Sequence, residues 1–384
     1  MFFQELSLRY NLTREIKELY TSVAIKDFAV SMIALFEPIF LYYELHLPLY
    51  MVMLFYAVIY TPYIFLLPFS GKIACKFGFE HSMAYATPFF IIYLALLYAS
   101  RGNPNLIWLA ALIICAYKIF YWPSYNANFA RYSNQEHRAK ILTFIRMIST
   151  VLIILGPILG GLILKFFGFS VLFIVASFLM FVSFIPMMTT KEKFYPSHFS
   201  YWKTIKMLIR RKYIKQALSF MGFAEELSIM TFWPIFMFLT FDKNFMLLGI
   251  IAATSSLGFS LFGFYIGRLI DKKKEIYKVL RPAIVVQSLI WFLKMLSRTI
   301  FEVGLLDILH WGNRGAIYPT QFSIIYKKAN QHGNLRYMIF HEMALAIGKA
   351  GIAWILFFIF LNFGEAFYLG FAISGIIGLL YLFL

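Results

Sequence analysis

The sequence predicts an all-α membrane protein of twelve transmembrane helices in two parallel six-helix pseudo-repeats. Composition is the first reason. Apolar residues are 61% of the 384 and charged residues only 14%, where a soluble domain carries about 25% charged residues. Mean hydropathy is +0.74. A repeat is the second reason. Phe36-Glu37-Pro38-Ile39-Phe40 returns 196 residues later as Phe232-Trp233-Pro234-Ile235-Phe236. At the same offset Gly71 returns as Gly267, Lys118 as Arg314, Pro123-Ser124 as Pro319-Thr320, Phe144 as Phe340, and Phe167-Gly168 as Phe363-Gly364. One constant offset marks two copies of one unit.

About 20 apolar residues span a bilayer core. In chain order such runs occupy 22–43, 48–70, 82–100, 105–126, 140–164 and 169–189. The second copy repeats them at 214–240, 245–266, 279–297, 303–325, 337–360 and 365–384. We number these segments 1 to 12. Pro and Gly interrupt several of them, as is common within a membrane. An even number per copy gives both copies the same orientation. The chain thus divides into a cytoplasmic N-terminal segment 1–21, a first half 22–189, a basic linker 190–213 and a second half 214–384.

Charge sets the orientation and is the third reason. Twenty-five Lys and Arg lie in or at the edges of loops on the N-terminal side, and four lie on the opposite side. The positive-inside rule then makes both termini and the linker cytoplasmic, in a cell inner membrane. The net charge of +17 reflects this topology and attraction to anionic lipid. It is spread over six loops, not gathered on one face, so nucleic acid is not an expected partner. Within 1–21, Leu8, Leu12, Ile16 and Leu19 follow helical steps and suit a surface helix. The two cysteines, Cys75 and Cys115, supply no disulfide framework or metal cluster. No phosphate-binding Gly-x-x-x-x-Gly-Lys-Ser/Thr loop occurs, and His341-Glu342 lacks the second histidine of a zinc-protease helix. His310 alone makes no metal site. Neither an enzyme nor a cofactor is expected.

Two loops carry a family resemblance. Gly71-Lys72-Ile73-Ala74-Cys75-Lys76-Phe77-Gly78 follows segment 2, and Gly267-Arg268-Leu269-Ile270-Asp271-Lys272-Lys273-Lys274 follows segment 8. Both are similar to the Gly-x-x-x-Asp-Arg/Lys-x-Gly-Arg/Lys-Arg/Lys signature of the major facilitator superfamily of secondary transporters. The first copy keeps both glycines but has Cys75 for the acid. The second keeps the acid but has Lys274 for the second glycine. Gly156-Pro157-Ile158-Leu159-Gly160-Gly161 in segment 5 resembles that family's antiporter signature, with Leu152 in place of its preceding glycine. Close helix packing explains the same residues.

The resemblance implies that segments 1, 4, 7 and 10 line a central cavity. An ionisable residue in hydrocarbon costs at least ~2.5–3.5 kcal/mol, so each marks a functional site. Segment 1 has Glu37, segment 4 Lys118, segment 7 Glu225 and Glu226, and segment 10 Asp307, His310 and Arg314. Asp307, Trp311, Arg314, Tyr318 and Gln321 share one helical stripe. Lys118, Tyr121 or Trp122, and Tyr125 form the matching stripe. The expected substrate residues are therefore Lys118, Tyr121, Trp122, Tyr125, Trp311, Arg314, Tyr318 and Gln321. Lys118 and Arg314, equivalent in the repeat, suit a clamp on an organic anion. Glu226 and Arg314 also lie level, ~18 and ~16 Å from their inner helix ends, so an internal ion pair is the alternative. Glu225 would then face a neighbouring helix.

Glu37, Glu226 and Asp307 are the expected proton-coupling carboxylates. Gating is expected of Gly71, Lys76, Gly78, Arg146, Gly267, Asp271 and Glu342. In it, Arg146 would pair with Asp271, and Glu342 with Lys72 or Lys76. The resulting expectation is a monomeric, proton-coupled secondary transporter working by alternating access, and by its antiporter-like motif an exporter. Its cargo would be a small organic anion or amphipathic compound. The competing reading is a non-transporting scaffold or sensor on the same fold.

Overall fold

Proline and glycine set where this chain bends. The computed structural model describes residues 14–132, 136–189, 200–273, 276–332 and 334–384. The surface helix expected within 1–21 lies largely outside them. Among the described residues every regular element is helical. The first half contains α1 (Arg14–Ala34), α2 (Glu37–Ile39) with a π-helical turn at Phe40–Glu44, α3 (Leu49–Phe77), α4 (Phe79–Ala99), α5 (Leu106–Tyr132) and α6 (Glu136–Thr189). The linker contributes α7 (Tyr201–Ile209). The second half contains α8 (Arg211–Gly222), α9 (Glu225–Met230), α10 (Phe232–Thr240), α11 (Phe245–Lys273), α12 (Ile276–Lys294), α13 (Ile300–His332), α14 (Asn334–Phe363) and α15 (Phe367–Gly378), closed by a 3₁₀ turn at Leu379–Phe383.

Pro38 lacks an N–H for the carbonyl four residues back, and α1 ends there at Ala34. Pro234 does the same to α9, which ends at Met230. Gly168 turns back within α6 at φ 74°, and Gly364 turns at φ 64° after α14. His46 and Asp242 also take positive φ, at 52° and 49°. Each of these pairs is separated by the 196 residues of the sequence repeat.

Seven stretches of described helix are long and apolar enough to cross a membrane. One of them, Thr150–Met188, runs for 39 residues through the bend at Gly168. The stretches that are long but too polar include α12 and α13, which carry charges of the buried site described below. In the first half α1 packs on α6, and α5 on α3 and α4; in the second, α13 packs on α11 and α12. The halves meet where α3 packs on α14 and α6 on α11.

Small residues permit those approaches. A Cβ on Gly160 would strike the Met32 carbonyl oxygen and, at 2.8 Å, the Phe36 ring. One on Gly161 would lie 2.6 Å from the Phe245 carbonyl oxygen, and one on Gly249 would strike that of Pro157. The antiporter-like motif is therefore the face on which α6 meets α1 and α11.

Candidate functional site

Because α9 starts afresh after a turn at Phe223-Ala224, Glu225 and Glu226 stand side by side at its first turn. Arg314 of α13 reaches both: Nη1 donates to Glu225 Oε1 at 2.7 Å and Nη2 to Glu226 Oε1 at 3.0 Å. Lys349 of α14 donates to Glu226 Oε2 at 2.7 Å, and Trp291 Nε1 of α12 donates to Glu225 Oε2 at 2.6 Å. All four carboxylate oxygens thus accept a hydrogen bond. That satisfaction is what makes a buried ion cluster tolerable.

The cluster continues toward the other end of α13. The Lys294 ammonium lies 3.7 Å from the Trp233 ring centre and 4.2 Å from that of Trp291. It reaches His310 Nδ1 at 3.4 Å, and Gln287 Nε2 lies 2.9 Å from His310 Nε2. Asp307 accepts from Trp233 Nε1 at 2.9 Å and Ser255 Oγ at 2.5 Å. Lys294 ends its helix, where a lysine normally extends its head to water. Here it is 0% exposed. Glu225, Glu226 and Asp307 are balanced by Lys294, Arg314 and Lys349, so this cluster closes its own charge.

A different set sits between the halves. Glu342 of α14 accepts from Asn126 Nδ2 of α5 at 2.7 Å and from Tyr63 Oη of α3 at 3.5 Å. Glu37 of α2 accepts from Tyr56 Oη at 3.0 Å. Lys118 of α5 lies 5.2 Å from the Tyr60 ring centre, and Lys349 lies 5.5 Å from the same ring. Among the described residues, Lys118, Glu37 and Glu342 have no Lys–carboxylate or Arg–carboxylate pair within 4.0 Å. Lys118 is nevertheless close enough to Glu37, Glu226 and Glu342 to interact with each through space. Two acids and one base share this zone without being spent on one another.

In the first half, Lys26 pairs with Asp27 at 2.7 Å and donates to Tyr121 Oη at 2.9 Å. Its ammonium faces the rings of Tyr121, Trp122 and Tyr125 at 4.2, 5.7 and 5.9 Å. Tyr117, Tyr121 and Tyr125 stack one turn apart, with interplanar angles of 14° and 16°.

Set against the expected site, Arg314 is committed to Glu225 and Glu226, and only Lys118 of the envisaged clamp is free. Glu225 serves Arg314 as well as its neighbour on α12. Tyr121, Trp122 and Tyr125 enclose Lys26. Trp311 lies 5.5 Å beneath the Arg314 guanidinium, and Tyr318 stacks on Phe322 at 4.4 Å. Gln321 is fully buried, and neither amide atom is hydrogen-bonded among the described residues. Of the proton-coupling acids, Glu226 bridges two cations and Asp307 belongs to the closed cluster.

Of the expected gate, the pair at Glu342 is not formed in this structure. No ion pair joins Glu342 to Lys72 or Lys76; Glu342 lies two turns inside α14, where Asn126 and Tyr63 take it up. Lys76 instead lies over Phe77 at 5.2 Å. Gly71 is buried within α3, and Gly267 has open space about it. Gly78 joins α3 to α4 at φ 82°, which favours glycine. The side chains of Arg146 and Asp271 lie outside the described residues.

Lys26, Asp27, Trp291, Lys294, Lys349, Tyr63 and Asn126 were not anticipated. The lysines had a signal. Six basic residues lie within the apolar segments, and only Lys118, Arg146 and Arg314 were weighed.

The sequence pattern of the Major Facilitator Superfamily matches residues 19–350. The chain belongs to this superfamily, which makes it a membrane transporter rather than an enzyme. No curated protein sequence matches it. Two solved structures resemble it over 97% of this chain and 98% of theirs. One is a single-residue variant of the E. coli fucose:proton symporter FucP, at 15% identity and TM-score 0.64. The other is the nucleoside transporter NupG, at 12% identity and TM-score 0.67. At such identities the likeness is one of fold.

Proposed function

We propose that this chain is a proton-coupled secondary transporter of a small, uncharged polar solute, working by alternating access. Its twelve segments form two six-helix halves that rock about a site near the bilayer midplane. Glu37 and Glu342 take up the proton, and Lys118 with Tyr56, Tyr60 and Tyr63 holds the cargo. Both termini face the cytoplasm of a monomer in the inner membrane.

One observation carries this reading. Among the described residues, Lys118, Glu37 and Glu342 are charges at the junction of the halves with no Lys–carboxylate or Arg–carboxylate pair within 4.0 Å, whereas the second-half cluster is internally neutral. With Lys349 counted in the second-half cluster through Glu226, two ionised acids and one base leave the junction at about −1, and one proton neutralises it. A neutral site suits a cargo that offers hydroxyls and a face for aromatic stacking. The fucose and nucleoside carriers named above handle solutes of that kind. An organic anion is the second reading, favoured by Lys118 alone. The packing role of Gly156, Gly160 and Gly161 leaves the direction of transport to experiment.

The test is uptake into proteoliposomes with an imposed pH gradient, using labelled hexoses, nucleosides and small organic anions. Accumulation of a neutral solute that collapses with the gradient supports the proposal. Accumulation of anions alone replaces it with the second reading. Solute entry indifferent to pH removes the coupling.

A further inference from the structure

The transport reading leaves one surface unused, the outer face of α7 and the first turn of α8. Lys203, Lys206, Arg210, Arg211, Lys212 and Lys215 are all exposed there. None has an ion-pair partner within 4.0 Å among the described residues. Residues 200–224 contain no acid. Amid these cations two large apolar side chains point outward, Trp202 at 69% exposure and Ile209 at 75%. They are seven residues apart, so they share a helix face.

The inner face of α7 fixes its depth. Tyr201 Oη donates to the Phe65 carbonyl oxygen at 3.4 Å, and its ring lies 5.1 Å from Phe69. Phe65 and Phe69 are 65% and 45% exposed on α3, at the inner end of apolar segment 2. Thr204 and Met207 are buried, and Met207 packs with Phe220, Tyr337 and Phe340 of the second half. The helix therefore lies along the edge of the apolar belt and touches both halves.

We propose that this face docks on the headgroups of anionic lipids in the adjoining leaflet. Trp202 and Ile209 enter the acyl boundary, as on an interfacial amphipathic helix. The flanking cations meet lipid phosphates, and an indole belongs at this depth. Assigning the leaflet as cytoplasmic rests on the positive-inside orientation; the docking itself does not. Because α7 contacts α3 on one side and the α8–α14 packing on the other, lipid charge bears on the rocking of the halves.

The test uses the full chain in nanodiscs of phosphatidylcholine, with and without phosphatidylglycerol. The Trp202 signal is the difference in emission between wild type and Trp202→Phe. Docking predicts that this difference is blue-shifted, quenched by lipids brominated near the headgroup and shielded from iodide. Combined Lys203→Gln, Lys206→Gln and Arg210→Gln should reduce the preference for phosphatidylglycerol about tenfold or more, as should 1 M salt. A Trp202 signal quenched by iodide and indifferent to brominated lipid would overturn the proposal. So would an unchanged lipid preference in the folded triple variant. Either result would point instead to a soluble acidic partner.

Discussion

Asn126 donates to the Glu342 carboxylate across 2.7 Å, and this bond ties α5 of the first half to α14 of the second. Both residues are buried, at 4% and 6% exposure. A hydrogen bond to a charged group contributes about 1.5–3 kcal/mol. Asn126→Ala should therefore lower the melting temperature of the purified protein. Asn126→Asp should lower it further at neutral pH, since two acids would then meet. Equal melting of wild type and both variants would remove the bond from the account.

The two basic residues equated by the repeat should behave in opposite ways. Arg314→Ala strands Glu225 and part of Glu226 in a buried cluster, and breaking such a pair costs about 3–5 kcal/mol. Among the described residues Lys118 has no ion pair within 4.0 Å to break. Lys118→Ala should melt near wild type yet lose solute binding. Melting curves beside binding isotherms check both, and a stable, inactive Arg314→Ala would reverse the assignment.

Lys294 and Asp307 form the outlying part of the closed cluster. Lys294→Met leaves Asp307 with Trp233 and Ser255 as its hydrogen-bond donors and without a cation. We expect the single variant to be strongly destabilised and Lys294→Met/Asp307→Asn to recover most of the loss. A double-mutant cycle measures this coupling directly. Additive losses would mean that the two residues do not compensate one another.

The tight faces give a steric prediction. Gly160→Ala forces a methyl group against the Met32 carbonyl oxygen and should cost about 1–3 kcal/mol by overpacking. Gly351→Ala, within α14 and with nothing near its Cβ, should instead stabilise by about 0.5–1 kcal/mol through helix propensity. Thermal melting of the two variants side by side checks the contrast.

The repeat and the proline and glycine positions were legible in the sequence because they act locally. Pro38 and Pro234 each follow the end of a helix by four residues, and the turns at Gly168 and Gly364 need no distant partner. The ion pair between Glu226 and Arg314 was legible from helix level alone. Its extension was not. Lys294 and Lys349 lie on helices outside the four expected to line the cavity, and their inward reach depends on where Trp291, Trp233 and Glu226 stand in space. For Lys26 and Asp27 helix level carried no such signal, because the tyrosine stack that receives Lys26 is formed by another helix. Glu342 was read against the loop lysines nearest in the repeat, whereas Asn126 and Tyr63, neutral and unremarkable in sequence, hold it.

The central claim is that the coupling acids lie at the junction of the halves and not in the closed cluster. The most direct test compares solute exchange with gradient-driven accumulation in Glu37→Gln, Glu342→Gln and their double variant. The account predicts that either single variant, which leaves the junction neutral as protonation does, exchanges solute at near wild-type rate, and that none of the three accumulates it under an imposed pH gradient. Full accumulation by the double variant would contradict it and move the proton to Asp307 or Glu226.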